Sequence, residues 1–203
     1  MRYQICVSGA ASGDTVRSSH KLAFALGKAI SEEGKTLLTG ATVGLPHYAA
    51  MGVMAAEGDV RGLSIGFSPA ASFREHVATY RLPTKEFDYI NFTGMEYVGR
   101  DVHLVRSSDA VITVGGRMGS LHEMSTALES RKVCGVLLGS GGLADYTPVL
   151  LENIEAPGAK EVIYDTDPAR LVKKVIEALD KKYADFEHDG TDAQVSDMRA
   201  GRG

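Results

Sequence analysis

Short apolar or β-branched runs alternate along this chain with longer stretches in which apolar residues recur every three to four positions. The first run is YQICVS, residues 3–8. After a Gly/Ser loop comes a stretch over about 14–33 whose Leu22, Leu26 and Ile30 form one stripe, which predicts a strand and then a helix. The same alternation continues with strands at 35–40, 61–68, 87–93, 109–116, 132–140 and 161–166. Helices are expected at about 45–57, 95–107 and 120–131, with a short one from about 145. A last helix, 167–183, has Asp167 as N-cap, Pro168 at its first position, and a core face of Leu171, Val172, Val175, Ile176 and Leu179. The connection 69–86 is too long for a passive turn and predicts a functional loop.

Near-continuous apolar strands that alternate with helices imply an α/β protein whose parallel sheet is covered on both faces. Nothing divides residues 1–183, so one domain is expected. Residues 184–203 lack an apolar period and predict a disordered tail.

Composition changes this picture little: 44% of the 203 residues are hydrophobic and 24% charged, ordinary for a globular chain. A net charge of −4 argues against nucleic acid and anionic membrane as partners. No run reaches the length of a membrane span, and the first residues lack a signal segment. Cys6 and Cys134 sit singly in apolar runs and read as reduced, buried thiols. Together these predict a cytoplasmic protein. The scattered histidines offer no metal set, and no resident cofactor is expected.

The candidate chemistry lies in glycines placed just after strands: Ser8, Gly9 and Gly13, then Gly40 and Gly44, then Gly115, Gly116 and Gly119, then GSGGL at 139–143. In a parallel sheet all of these fall at one edge, where backbone N–H groups and helix N-termini make anion sites. The ligand expected there is a phosphorylated nucleotide or nucleotide-like small molecule. Neither a Walker loop nor the dinucleotide glycine spacing is present. Ser120-Leu121-His122-Glu123 reads as a capping box, a purely structural use of Glu123. It also places a carboxylate at the best anion site, where Ser120 would hold phosphate and Glu123 the sugar. Arg100 reads either as a surface ion-pair residue or as a functional cation, with Arg106 and Arg117 as competitors. GLSIG, 62–66, matches a nucleophile-elbow pattern but falls within a predicted strand, which argues against that use.

VGGRMGSLHE resembles the Pro-Gly-Gly-x-Gly-Thr-x-x-Glu signature of the LOG phosphoribohydrolases. TGATVGLPHYAA resembles their second-strand loop, and VGRDVHLVRSSDAVITVGG their arginine-bearing helix and signature strand. The resemblance is closer still to the molybdenum cofactor carrier-like branch of that superfamily, over about residues 3–180. It implies a Rossmann-like, doubly wound fold and a homodimer or higher homo-oligomer. It also implies hydrolysis of the N-glycosidic bond of nucleoside 5′-monophosphates, with Glu123 and Arg100 catalytic. Gly115, Gly116, Gly119 and Ser120 would bind phosphate, joined by Arg117 in the same loop. Val114 replaces the signature's Pro, Arg117-Met118 follow the branch's two-residue spacing, and Asp101 replaces its Asn.

If hydrolysis occurs, its transition state is a ribosyl oxocarbenium ion. A carboxylate at a helix N-terminus is expected to stay ionised and stabilise that cation. Neither Asp14 nor His122 stands out as the acid for the leaving base. The alternative is a nucleotide or cofactor carrier or sensor that uses the same cradle without turnover.

Overall fold

The structure is a computed structural model and describes residues 2–57 and 61–184. The tail singled out above lies outside them from residue 185 on. Strands β1 (Gln4–Gly9), β2 (Thr36–Thr39), β3 (Ser64–Ser68), β4 (Tyr89–Phe92), β5 (Ala110–Val114), β6 (Val133–Leu137) and β7 (Ile163–Asp165) form one sheet in the order β4-β3-β2-β1-β5-β6-β7. Every neighbouring pair is parallel. Helices α1 (Asp14–Glu32), α2 (Leu45–Met54), α3 (Phe73–Ala78), α4 (Glu96–Ser107), α5 (Met118–Glu129), α6 (Gly142–Asn153) and α7 (Pro168–Tyr183) fill the connections.

Successive strand residues point to opposite faces, so β1, β2, β5 and β6 each feed two cores. Ile5, Val7, Leu37 and Ile112 join Leu26 and Ile30 of α1, Val53 of α2 and Leu171 and Val175 of α7. Cys6, Leu38, Val111 and Val136 join Leu104 of α4, Met124 and Leu128 of α5 and Ala144 of α6. Cys6 and Cys134 are free and buried. At the start of α7, Asp167 accepts from Arg170 N at 2.7 Å with Pro168 behind it. No helix among the described residues is long and apolar enough to cross a membrane.

Three expectations change. The connection 69–86 is not a free loop: it contains α3, whose His76 is fully buried between Ser68 Oγ at 2.8 Å and Pro83 O at 2.9 Å. Helix α6 begins at Gly142 rather than near 145, because Asp145 accepts from Gly139 N and Gly141 N one turn below and closes the loop. Helix α5 begins at Met118, not Ser120, with Arg117 as an N-cap that makes no side-chain capping bond. Ser64 of GLSIG is fully buried at the start of β3 and cannot act as an exposed nucleophile.

Strand order reverses between β1 and β5. The chain runs outward through β2, β3 and β4 on one side and through β6 and β7 on the other. Loops leaving β1 and β5 therefore diverge and leave a crevice at their carboxyl ends, where open α/β sheets take ligands.

Candidate ligand site at the switch point

A cavity of about 320 Å³ occupies that crevice, at the small end of the range for small-molecule sites. One wall is the β1–α1 loop at Gly9, Ala10, Ala11 and Ser12, and the facing wall is the start of α5 from Arg117 to Ser120. Gly40, Thr42 and Pro46 close a third side. Tyr97 stands at the rim, 47% exposed, with its ring edge-on to Tyr80 at 5.6 Å. Arg100, Asp101 and Glu123 reach in from below.

The glycine-rich loops at this edge are not equivalent. In α2, Leu45 N is bonded to Ala10 O at 2.9 Å and Pro46 has no N–H. In α6, Leu143 N and Ala144 N are bonded to Gly116 O and Gly115 O at 3.1 and 2.8 Å. These helix starts brace the loops instead of offering donors. Met118, Gly119 and Ser120 precede the first intrahelical bond of α5, and all three line the cavity. Gly116 makes the loop possible: its φ of +106° suits glycine alone, and a Cβ there would meet Ser120 Cβ at 2.9 Å. Arg117 Nη1 crosses to Ser12 Oγ at 2.8 Å and ties the two walls together.

Arg100 is not a surface residue. It is 4% exposed, with Nη1 donating to Phe67 O at 3.2 Å. Its guanidinium passes over Gly40 so closely that a Cβ on Gly40 would lie 1.6 Å from Nη1. Nε finds no hydrogen-bond partner among the described residues, although Asp101 Oδ1 lies 3.2 Å away.

Glu123 is not the acid of a capping box. With Arg117 at the N-cap, Ser120 is the third helical residue and Glu123 lies nearly two turns in, 8% exposed, accepting from Ser8 Oγ of β1. It is not held firmly ionised as the helix N-terminus suggested. Burial, and then the charge of Asp101, push its carboxyl up to about 7, against the pull of Arg100 and the Ser8 hydroxyl. Desolvation wins because the group sits beneath the helix start rather than at its solvated end.

Of the residues singled out in the sequence, Gly9, Gly40, Arg100, Arg117, Gly119, Ser120 and Glu123 line the cavity, and Ser8 lies just behind Glu123. Gly13, Gly44, Gly115 and Gly116 do not line it. They shape the loops at positive φ, and a Cβ on Gly44 would sit 2.4 Å from Ala10 O. Asp14 faces solvent against Arg17, and His122 bonds Asp101 instead of opening on the cavity. Asp101, Ser12, Thr42 and Tyr97 join the cavity without having been picked out as binding residues. Asp101 had a signal, because it directly follows Arg100 on a helix leading to the signature strand.

A doubly wound sheet with a pocket at its switch point is a Rossmann-like protein. The chain belongs to the SLOG cluster4 family, whose model matches residues 2–172. Among solved structures it is similar to the molybdenum cofactor binding protein from Rippkaea orientalis, at 27% identity and a TM-score of 0.66, over 88% of this chain and 98% of that one. It is similar to the molybdenum cofactor carrier protein from Chlamydomonas reinhardtii, at 26% identity and a TM-score of 0.69, over 87% and 98%. DNA processing protein A from Helicobacter pylori shares the fold at 16% identity and a TM-score of 0.59, over 87% and 81%. The resemblance to the LOG-type superfamily and its carrier-like branch therefore holds.

Proposed function

We propose that this chain is a cytoplasmic protein that binds a phosphorylated, nucleotide-like small molecule in the switch-point cavity. One observation carries the reading: the start of α5 keeps donors open to the cavity while the starts of α2 and α6 spend theirs on neighbouring loops. The phosphate is held by the N–H groups of Met118, Gly119 and Ser120, with Ser12 and Arg117 at the rim. The next part of the ligand lies over Glu123 and Arg100, and a planar ring reaches the exposed face of Tyr97. Similarity to two molybdenum cofactor-binding proteins supports a cofactor or nucleotide as cargo.

The test is calorimetry with AMP, ribose 5-phosphate and inorganic phosphate, comparing wild type with Tyr97→Ala. Loss of affinity for AMP but not for ribose 5-phosphate in the variant is the expected result. Failure of all three to bind sinks the reading.

Hydrolysis of the N-glycosidic bond is a second reading, favoured by Glu123. A carboxyl that titrates near 7 can deliver a proton to a departing base, the role left open by the sequence. Chromatography for free base after incubation with a panel of nucleoside 5′-monophosphates decides it, and no release from any of them leaves binding alone. For the homo-oligomer we propose the exposed face of α4, where Val98 and Val102 are 70% and 38% exposed one turn apart. Light scattering that shows only monomer removes that part.

A further inference from the structure

The site buries more negative charge than it balances. Asp101 and Glu123 line one cavity at 6% and 8% exposure, and Arg100 is the buried cation beside them. Arg117 is exposed at the rim, held by Ser12. Each oxygen of Asp101 has a charged or donor partner: Arg100 Nε lies 3.2 Å from Oδ1, and His122 Nδ1–H donates to Oδ2 at 3.1 Å. Glu123 accepts from Ser8, a neutral hydroxyl. Two buried carboxylates against one guanidinium leave one charge without compensation, and proteins relieve that state by protonating a group. A phosphate brought to the start of α5 adds further negative charge to the same small volume.

We propose that the site takes up its phosphorylated ligand together with a proton held on Glu123, and that Asp101 is the residue that imposes this coupling. The inference rests on the ligand reading above. The elevated titration of Glu123, with burial and then Asp101 as its causes, agrees with the geometry. Around Glu123, β1 presents Ser8 and Cys6, α4 presents Arg100 and Asp101, and α5 itself presents His122 through Asp101 and Arg117 at the rim. Burial, and then Glu123, raise the Cys6 thiol well above its usual range, so it stays neutral and cannot substitute. Strand β5, Ala110–Val114, carries no titratable side chain. Cys134 of β6 is raised by burial to about 12, answers to Lys182 rather than to Glu123, and also stays neutral.

Two measurements test the coupling. The first is infrared titration of the free protein with labelled glutamate. Wild type should show a protonated carboxyl band that disappears as pH rises through about 7, absent in Glu123→Gln and shifted to lower pH in Asp101→Asn. The second is calorimetry with AMP at about pH 8, in buffers of different ionisation enthalpy, where uptake should approach one proton per AMP. In Glu123→Gln the AMP binding that remains should carry no proton uptake and lose its pH dependence above neutrality, whereas wild-type affinity should fall roughly tenfold per pH unit there, where the phosphate is already a dianion. Absence of any glutamate carboxyl band persisting above about pH 6, beyond the ordinary glutamate range, or AMP binding without proton uptake, overturns the proposal. An unchanged band in Asp101→Asn overturns the part assigned to Asp101. If neither AMP nor phosphate binds while the band titrates, the ligand reading and the coupling fall together and only the protonated carboxyl survives.

Discussion

The starts of α5 and α6 lie side by side on adjacent strands, and their sequences look alike: GGRMGS after β5 and GSGGL after β6. Their fates differ. At α6 the acid is Asp145, which folds back onto Gly139 N at 2.6 Å and Gly141 N at 3.0 Å, while Leu143 N and Ala144 N are spent on Gly116 O and Gly115 O. At α5 no side chain caps the helix, its first three residues line a cavity, and the acid, Glu123, points beneath the helix to Ser8. One loop is closed and holds the other in shape. A glycine-rich turn is a candidate site only where its donors are left over, and that depends on what the neighbouring loop does with its carbonyls.

The contrast can be broken most severely at Gly119. A Cβ there meets nothing within 4 Å, so Gly119→Val adds bulk at the cavity wall without straining the fold. Affinity for AMP should drop more than about 100-fold, roughly 3 kcal/mol, with the melting temperature little changed; retained affinity places the ligand elsewhere.

The next effect is one of stability. Glu123 titrates higher folded than unfolded, so the folded state holds the extra proton and stability is greatest below its ordinary 4.5, then falls as pH rises through about 7. At about 1.4 kcal/mol per unit, the loss reaches about 3 kcal/mol at most. Urea melts of wild type and Glu123→Gln at about pH 5 and pH 8 should show the wild type losing ground at the higher pH, and parallel profiles would refute the buried, protonated carboxyl.

Gly40→Ala sharpens the comparison from the other side. The new methyl would displace the Arg100 guanidinium, and AMP affinity should fall roughly tenfold, about 1.4 kcal/mol. Unchanged affinity would remove Arg100 from the site.

The smallest effect belongs to the closed loop. Asp145→Ala deprives two exposed N–H groups of their acceptor and should cost about 1 kcal/mol in chemical denaturation, with AMP affinity held within about twofold. A large affinity loss would mean that α6 does more than brace.

Much of this molecule follows from local pattern. The apolar runs around Ile5, Leu37, Ile65, Val111, Val136 and Ile163 could only be strands of a sheet buried on both faces, because period and β-branching are written residue by residue. Asp167-Pro168 marked the start of α7, and the glycines marked the sheet edge where the cavity lies, because a turn's conformational demand is local. Arg100, Glu123 and the α5 loop were legible as candidates because the signature places them together. Their states were not legible. Ser8 lies 115 positions from Glu123 along the chain, and Arg100 reaches Phe67, 33 positions away. Whether Glu123 caps a helix in water or sits desolvated beneath it depends on which strands lie at its side, and strand order is a property of the folded sheet. The chain by itself determined which groups could do chemistry. Tertiary structure decided which of them are desolvated, which donors remain unspent, and so where a charge can be held, because desolvation and hydrogen-bond competition act through space rather than along the sequence.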